Sequence, residues 1–446
     1  SRFVRRWSEA GLLAVLAVTM LWKGGKSLES TWLFAAVAAV LVLLQAFVFR
    51  PAVSVPRRLW WPVMALLAWT ALSYAASTAK NYGFDELLQS AAFSLLLCWT
   101  VRQYVSTGDN LFARRAARTI AFAAYLACAI GVAVYVLQPV NRFVGSFFDY
   151  RFHTDYWPNA WAQLCLLSWP LVVWTLFSPE AGWKREQFTE LKIGLHWMVT
   201  GFFVGCFLLS YSRAGFLAFV GQLGLAALLL FIAFRSRIDW KKLLVAVLTV
   251  AFTAMLWFSA VNVLRSHFHP VESVVQKATF SSAEGSSSFS ERAQFWKQAA
   301  VLSLQRPLLG WGPYSFRFVQ PRLQDGVLAT ADHAHNVFLK FAMERGWPAA
   351  LLLILAGLAI GVQGFRSWKD WSRRHVSGAH LKFAMFIGFA GVTAHNLVDY
   401  NLQFVGILLP LCIVCAVLAV PPVLRQDARR AKAQRVVESV LALVVL

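Results

Sequence analysis

Residues 194–234 read GLHWMVTGFFVGCFLLSYSRAGFLAFVGQLGLAALLLFIAF, a stretch without one acidic side chain and with a single arginine, Arg213. Two apolar runs, Gly194–Tyr211 and Ala214–Phe234, flank the two-residue hairpin Ser212–Arg213. Each run is close to the roughly 20 residues that a helix needs to cross hydrocarbon. The hairpin between them must then lie at a membrane surface, and the chain must be built from spanning helices.

Working outward, the same pattern recurs. Further apolar windows fall at Gly11–Trp22, Trp32–Phe49, Leu59–Ala76, Glu86–Val101, Thr119–Leu137, Asn159–Phe177 and Leu243–Leu264. Three more follow, at Trp347–Phe365, Phe383–Leu397 and Leu402–Val420. Only 14% of the 446 residues are charged, against roughly 25% in a soluble domain. The reading is an all-α polytopic membrane protein of about 12 transmembrane helices. The basic start, Ser1–Trp7, has the look of a signal peptide, but further spans follow it, so it is read as the first helix of the mature protein. Val436–Leu446 is apolar and too short to span.

Charge sets the orientation. With the N-terminus inside, 27 of the 42 Lys and Arg residues fall in one alternate set of connections and only 6 in the short opposite ones. Basic residues gather on the cytoplasmic side, so both ends face the cytoplasm. That same distribution argues against nucleic acid as a partner, despite a formal charge of +21. The six cysteines all lie in apolar stretches and read as small buried hydrophobes; Cys412 and Cys415 have redox spacing without polar context.

One connection breaks the rhythm. Arg265 to Gly346 runs for roughly 80 residues and holds the remaining 9 basic residues. Structureless loops beyond roughly 15 residues are usually functional or disordered, and this one has too much Trp, Phe and Leu for disorder. Its middle, Ser281–Ser290, is Ser-rich. Glu291–Gln305 predicts a helix along the membrane surface, with Phe295, Ala299 and Leu302 at helical spacing. The chain thus divides into 1–264, with nine spans, a large helical periplasmic loop over 265–346, and 347–446, with three spans and a basic tail.

In a membrane protein the informative residues are the costly ones. No acidic residue lies at mid-depth in a span, which speaks against an ion-coupled transporter. No phosphate-cradling Gly-Lys motif occurs, so nothing points to an ATPase. Arg142, Arg213 and Arg265 sit at the outer boundary, against the charge bias. They either snorkel into headgroups or grip an anion such as a lipid diphosphate; three converging on one leaflet favour the anion. His333 and His335 have no cluster of acids or thiols with them, so no metal site is expected. A loop histidine is either plain surface or, just before a membrane re-entry, a general base. His395, Asn396, Asp399 and Asn401 either bind sugar hydroxyls or cap helices, and capping is favoured.

These residues resemble a family. Ser210–Gly215 (SYSRAG) looks like the SRxG element of O-antigen ligases and polymerases. Ser290–Trp296 (SERAQFW) and Pro307–Phe316 (PLLGWGPYSF) are similar to its RxxxW and PLxGxGxxxF elements. His333–Leu339 (HAHNVFL), with Glu344 and Gly346, resembles HxHNxxL…G, and Arg142–Gly145 with Trp157–Ala160 resembles RxxGxxxNPNxxA, Trp157 standing for the usual Asn. The match is spread over Arg142 to Asp399. The resemblance implies a cofactor-free, metal-independent, inverting glycosyltransferase of the GT-C type in the inner membrane, working in lipopolysaccharide biosynthesis with its site facing the periplasm. It implies a polysaccharide donor on undecaprenyl diphosphate and, for a ligase, a lipid A–core acceptor. It carries Arg213 and the region of His335 over as functional positions, and Arg142 less directly; Arg265 rests on its place at the boundary. The expected catalytic residues are His335 as base with Arg213 and Arg265 as charge stabilisers. The expected substrate-binding residues are Arg142, Asn159, Tyr211, Arg292, Trp296, His333 and Asn336. A Wzy-type polymerase in the same superfamily is the alternative. A passive lipid or solute transporter is a third reading, for which neither inverted repeats nor midspan charges are seen.

Overall fold

The computed structural model describes residues 2–108, 110–149, 156–178, 180, 190–234, 239–271, 283–323, 331–374, 376–421 and 427–446, of which 2, 190, 191, 234 and 283–289 by their backbone alone. The basic residues Lys184, Arg185, Arg235, Arg237 and Arg425, and Ser281 at the start of the Ser-rich stretch, lie outside the described residues.

Every apolar window is occupied by a helix. In chain order these are α1 Arg2–Leu21, α2 Leu28–Leu44, α3 Arg57–Ala75, α4 Lys80–Thr107, α5 Leu111–Leu137 and α6 Pro158–Phe177. There follow α7 Glu190–Leu208, α8 Arg213–Phe234 and α9 Trp240–Ser266. The long loop contributes α10 Ala283–Gln305, α11 Phe316–Val319 and α12 Val337–Arg345. The chain closes with α13 Trp347–Arg373, α14 Ala379–His395, α15 Val405–Ala419 and α16 Ala428–Val445. No strand occurs among the described residues, and six of the helices are long and apolar enough to cross a membrane on their own. The chain is an all-α polytopic membrane protein.

Packing separates the helices into inner and outer ones. The apolar window of α6 is 72% buried, whereas that of α8 is 6% buried and shows its side chains to the surroundings almost all round. A helix hydrophobic on every face suits a protein core or lipid, so α6 is the axis of the bundle and α8 a lipid-facing wall. The six cysteines are buried and free, as their apolar context suggests.

Hydrogen bonds define two ends. At one, the α3–α4 turn, the α7–α8 hairpin, the start of α6, the α14–α15 turn and the long loop meet. Ser73 donates to Leu309 O (2.7 Å) and Glu344 O (3.0 Å), and Trp69 to Arg345 O (3.0 Å). Phe143 N–H donates to Leu209 O (3.0 Å) and Val337 N–H to Asn396 O (2.9 Å). At the other end, α16 closes over the α2–α3 connection. The tail that is too short to span is the second half of α16.

The helix expected over Glu291–Gln305 starts earlier, at Ala283. Its Phe295, Ala299 and Leu302 turn toward Phe316, Val319 and Met343 and form a small second core outside the bundle. Gly310 and Gly346 let this loop lie close against α12. Both have left-handed backbones (φ +66 and +84), and a Cβ at Gly346 would stand 1.8 Å from Leu308 O; an L side chain fits neither position.

Candidate active site

The site is built where α12 begins. Asn336 caps that helix: its Oδ1 accepts from the N–H groups of Phe338 (2.9 Å) and Leu339 (3.0 Å), and its amide donates to Leu397 O (2.7 Å). The expected substrate ligand Asn336 is thus occupied with joining α12 to the α14–α15 turn. His335, just before the cap, has a left-handed backbone (φ +49), uncommon for a non-glycine residue and a cost of about 1–3 kcal/mol. That turn aims its ring at the same α14–α15 turn.

There Asp399 receives it. His335 Nδ1 lies 2.7 Å from Asp399 Oδ1, and Arg292 donates to the other carboxylate oxygen at 3.3 Å. Tyr400 N–H adds a third donor at 2.8 Å. The carboxylate is 4% exposed and the imidazole 33%. Burial alone would raise the Asp399 carboxyl. The hydrogen bond from His335, the charge of that ring and the Arg292 guanidinium outweigh it and hold the carboxyl well below the usual carboxylate range. An ionised carboxylate only accepts, so Nδ1 carries a proton in this contact, and in the neutral form of the ring Nε2 bears the lone pair. Phe295 stacks on the ring (6.1 Å between centroids), and Trp296 Nε1 donates to His335 O at 3.3 Å.

The sequence favoured helix capping for His395, Asn396, Asp399 and Asn401; Asn396 is the C-terminal cap residue of α14, whereas the side chains of the other three are engaged elsewhere. Asp399 holds His335 and Arg292, and α15 starts without a side-chain cap. His395 Nδ1 and Asn401 Nδ2 each lie 3.0 Å from Gln163 Oε1, whose amide donates to Asn396 Oδ1 at 3.2 Å. Gln163, unremarked in the sequence, is the hub of this turn. Its signal was available: a fully buried amide inside an apolar span is costly and needs partners.

A charge test follows for Asp399. Its folded carboxyl is depressed, so the stability it adds is present above the unfolded value of about 3.9 and is lost as pH falls through the folded value. Asp399→Asn is expected to cost roughly 1.5–3 kcal/mol at pH 7, read as a lower melting temperature in detergent. The gap to wild type should begin to narrow as pH falls below about 4. A gap constant from pH 7 to 3 would mean that the charge contributes nothing.

A second cluster lies at the same end. Arg142 donates through Nε to Ser210 O (2.8 Å) and through its terminal nitrogen to Asn159 Oδ1 (2.9 Å). Ser212 Oγ accepts from Gly215 N–H at 3.2 Å and caps α8, whose first residue is the partly buried Arg213. Gly215 allows α8 to approach α6: a Cβ there would lie 2.9 Å from that of Ala162. Tyr211 (φ +50) packs edge-on against Phe258, and Asn262 donates to its hydroxyl at 3.5 Å. Asn159 and Gln163 are one helical turn apart on α6 and so share a face. Through them the Arg142 cluster and the His335–Asp399 turn are held on one helix, at one end of the bundle.

Two expected site residues are placed differently. Arg265 is 2% exposed; its guanidinium lies over the Tyr135 ring (4.5 Å) and donates to Tyr135 O and to Gln138 O (3.2 Å). It satisfies orphan carbonyls at the end of α5. His333 is buried, with Nε2 2.8 Å from Gln403 Oε1 and its ring edge-on to Tyr314 and Tyr400. Burial, helped by the charge of Lys340, pushes this imidazole well down, so it is neutral.

Beneath α12 lies a group of buried charges that the sequence did not disclose. Lys340, wholly buried, donates to Glu86 (2.7 Å) and to Glu344, and Arg345 donates to the other Glu86 oxygen (2.9 Å). Glu344 also accepts from Tyr314 N–H (3.1 Å). Burial pushes the Glu344 carboxyl up to about 7 against the pull of Lys340. These charges pin α12 to α4. Next to them opens a cavity of about 820 Å³ between α3, α4 and α12–α15, walled by Leu67, Phe93, Phe365 and Phe389. Its polar end is formed by Glu86, Arg345, Asn396 and Tyr400, the last two being neighbours of Asp399 in the turn.

Among the described residues no group of three or more His, Cys, Asp or Glu is arranged to hold a metal ion. No curated protein matches the chain. Residues 198–354 match the family model described as O-antigen ligase, a stretch running from α7 into α13 that contains Arg213, Arg265, Arg292, His333 and His335. Members of that family are glycosyltransferase-like enzymes. Over residues 198–354, then, the chain is similar to the O-antigen ligase family.

Proposed function

We propose that the chain is an O-antigen ligase of the GT-C type, which moves O-polysaccharide from undecaprenyl diphosphate to a hydroxyl of lipid A–core. It works in the inner membrane, with the His335 end facing the periplasm. The observation that carries this reading is the His335–Asp399 pair, set at the same end of the bundle as Arg142 and Arg213. No ATP is required, because the energy lies in the donor's sugar–diphosphate bond.

His335 Nε2 takes the proton of the acceptor hydroxyl as general base. Asp399 keeps the ring in the tautomer that can accept it and stabilises the imidazolium that forms. The acceptor oxygen attacks the anomeric carbon opposite the diphosphate, the bond to the diphosphate oxygen breaks, and the configuration inverts. Arg213, with Arg142 behind it, stabilises the charge that builds on the departing diphosphate, and Asn159 and Tyr211 line the same donor region. Arg265 serves as a positioning residue, fixing the end of α5 from which the Arg142 loop departs. Arg292 and Trp296 brace the base. The apolar cavity under α12 receives the polyprenyl tail.

The test is an in vitro reaction of the purified chain with undecaprenyl-diphosphate-linked polysaccharide and lipid A–core. Polysaccharide-bearing lipid A–core should appear, with EDTA without effect. Product that forms only when a second lipid-linked repeat is supplied would instead identify a Wzy-type polymerase. In cells, loss of a ligase accumulates long lipid-linked polymer, whereas loss of a polymerase leaves single repeats on core.

A further inference from the structure

The end of the bundle opposite His335 carries a second feature with no part in the transfer chemistry. There α16 is locked to the α2–α3 connection. Gln434 exchanges two hydrogen bonds with the backbone of Val55 (2.9 and 3.1 Å), and Arg430 donates to Ser54 Oγ (2.8 Å). Arg435 donates to Pro51 O. Glu438, fully buried, accepts from both Arg102 and Trp60 (2.9 Å each). All these bonds point inward and fix two basic segments side by side.

What faces outward is almost wholly cationic. Arg50, Arg57 and Arg58 come from the α2–α3 side and Arg429 and Lys432 from α16, all exposed, with Arg430 and Arg435 partly buried between them. The acids within reach are already engaged: Glu438 is buried on Arg102, and Asp427 caps α16 by accepting from Arg430 N–H (3.0 Å). The outer face of α16 then changes character. Past the basic turn it exposes Val436 (56%), Val440 (57%), Leu443 (61%) and Val444 (79%). A helix with one basic and one apolar stretch on its outer surface matches a membrane interface, where headgroups meet the first stretch and acyl chains the second. Nucleic acid or an acidic protein would satisfy the cations and leave the valines and leucines in water.

We infer that the patch formed by Arg50, Arg57, Arg58, Arg429 and Lys432 is a binding surface for the phosphates of anionic phospholipids in the leaflet at that end, with the second half of α16 seated among their acyl chains. The patch joins the first and last thirds of the chain, so bound lipid clamps α16 onto α2 and α3. This inference needs only that the chain is a membrane protein; it is independent of the ligase reading.

The test uses the full chain purified in a neutral detergent. Phosphatidylglycerol and phosphatidylcholine are offered in equal amounts, and native mass spectrometry counts the lipids retained. Wild type should retain phosphatidylglycerol preferentially. The variant R57Q/R58Q/R429Q/K432Q should weaken phosphatidylglycerol retention by at least about tenfold, given the attraction that each cation contributes at an anionic surface, with its melting temperature in neutral detergent unchanged. A second variant, K241Q/K242Q/R373Q/R374Q, removes the same charge from exposed sites on other connections and should keep the preference. Equal retention of the two lipids by wild type would overturn the proposal. So would an equal loss in both variants, which would reduce it to net charge, or preferential capture of an RNA oligonucleotide with no lipid preference.

Discussion

His335→Ala is expected to lower transfer by about 10²–10⁴-fold, while the variant still binds the lipid-linked donor. The size follows from what the ring does. A hydroxyl attacking an anomeric carbon must shed its proton as the new bond forms, and water is a poor substitute for a placed base. Donor binding should survive because the proposed diphosphate site lies on the α6 and α8 side, in a cluster whose hydrogen bonds do not pass through the imidazole. The fold should also survive, since the cap of α12 belongs to Asn336. Turnover and donor affinity measured separately would decide the matter. Full activity of the variant across a pH titration would remove His335 from the chemistry.

Arg213→Ala should cost about 10²–10³ in turnover, the usual price of one preorganised donor aimed at developing charge. Arg213 opens α8 next to the Ser210–Ser212 hairpin, to which Arg142 is tied. In the proposed role a guanidinium would offer a diphosphate a planar fork of donors, which an ammonium cannot reproduce. Arg213→Lys should therefore recover only part of the lost rate. A melting temperature close to that of wild type would separate this loss from misfolding, because α8 is mostly lipid-facing and capped by Ser212. Normal ligation by the Ala variant would refute the phosphate role.

The spans were legible because hydrocarbon leaves a chain so little choice: each apolar window from Gly11 to Val420 became a helix. The PLLGWGPYSF segment carries its glycines for a related reason, since the backbone at Gly310 and Gly312 excludes a side chain. The site was legible only in its pieces. His335 and Arg213 stand in local motifs, but Asp399, read as a capping residue, is 64 positions from the ring it holds. Lys340 and Glu86 are 254 positions apart, and each looks like an edge residue until the other is beside it. The same separation disguised Arg265, whose boundary position fits an anion-binding arginine equally well, although its hydrogen bonds go to the end of α5. Local pattern reports what one helix needs; which distant polar groups satisfy each other is decided by packing.

The stitching of α12 to the α14–α15 turn bears on how such a chain can be cut. The recognised segment stops at residue 354, before Gln163's partners and before Asp399. A fragment expressed to those limits would keep the histidine and forfeit the carboxylate that orients it. Inserted tags and fusion junctions belong well clear of residues 395–404, and comparisons confined to the recognised segment will overlook a substitution that breaks the His335–Asp399 pair from outside it.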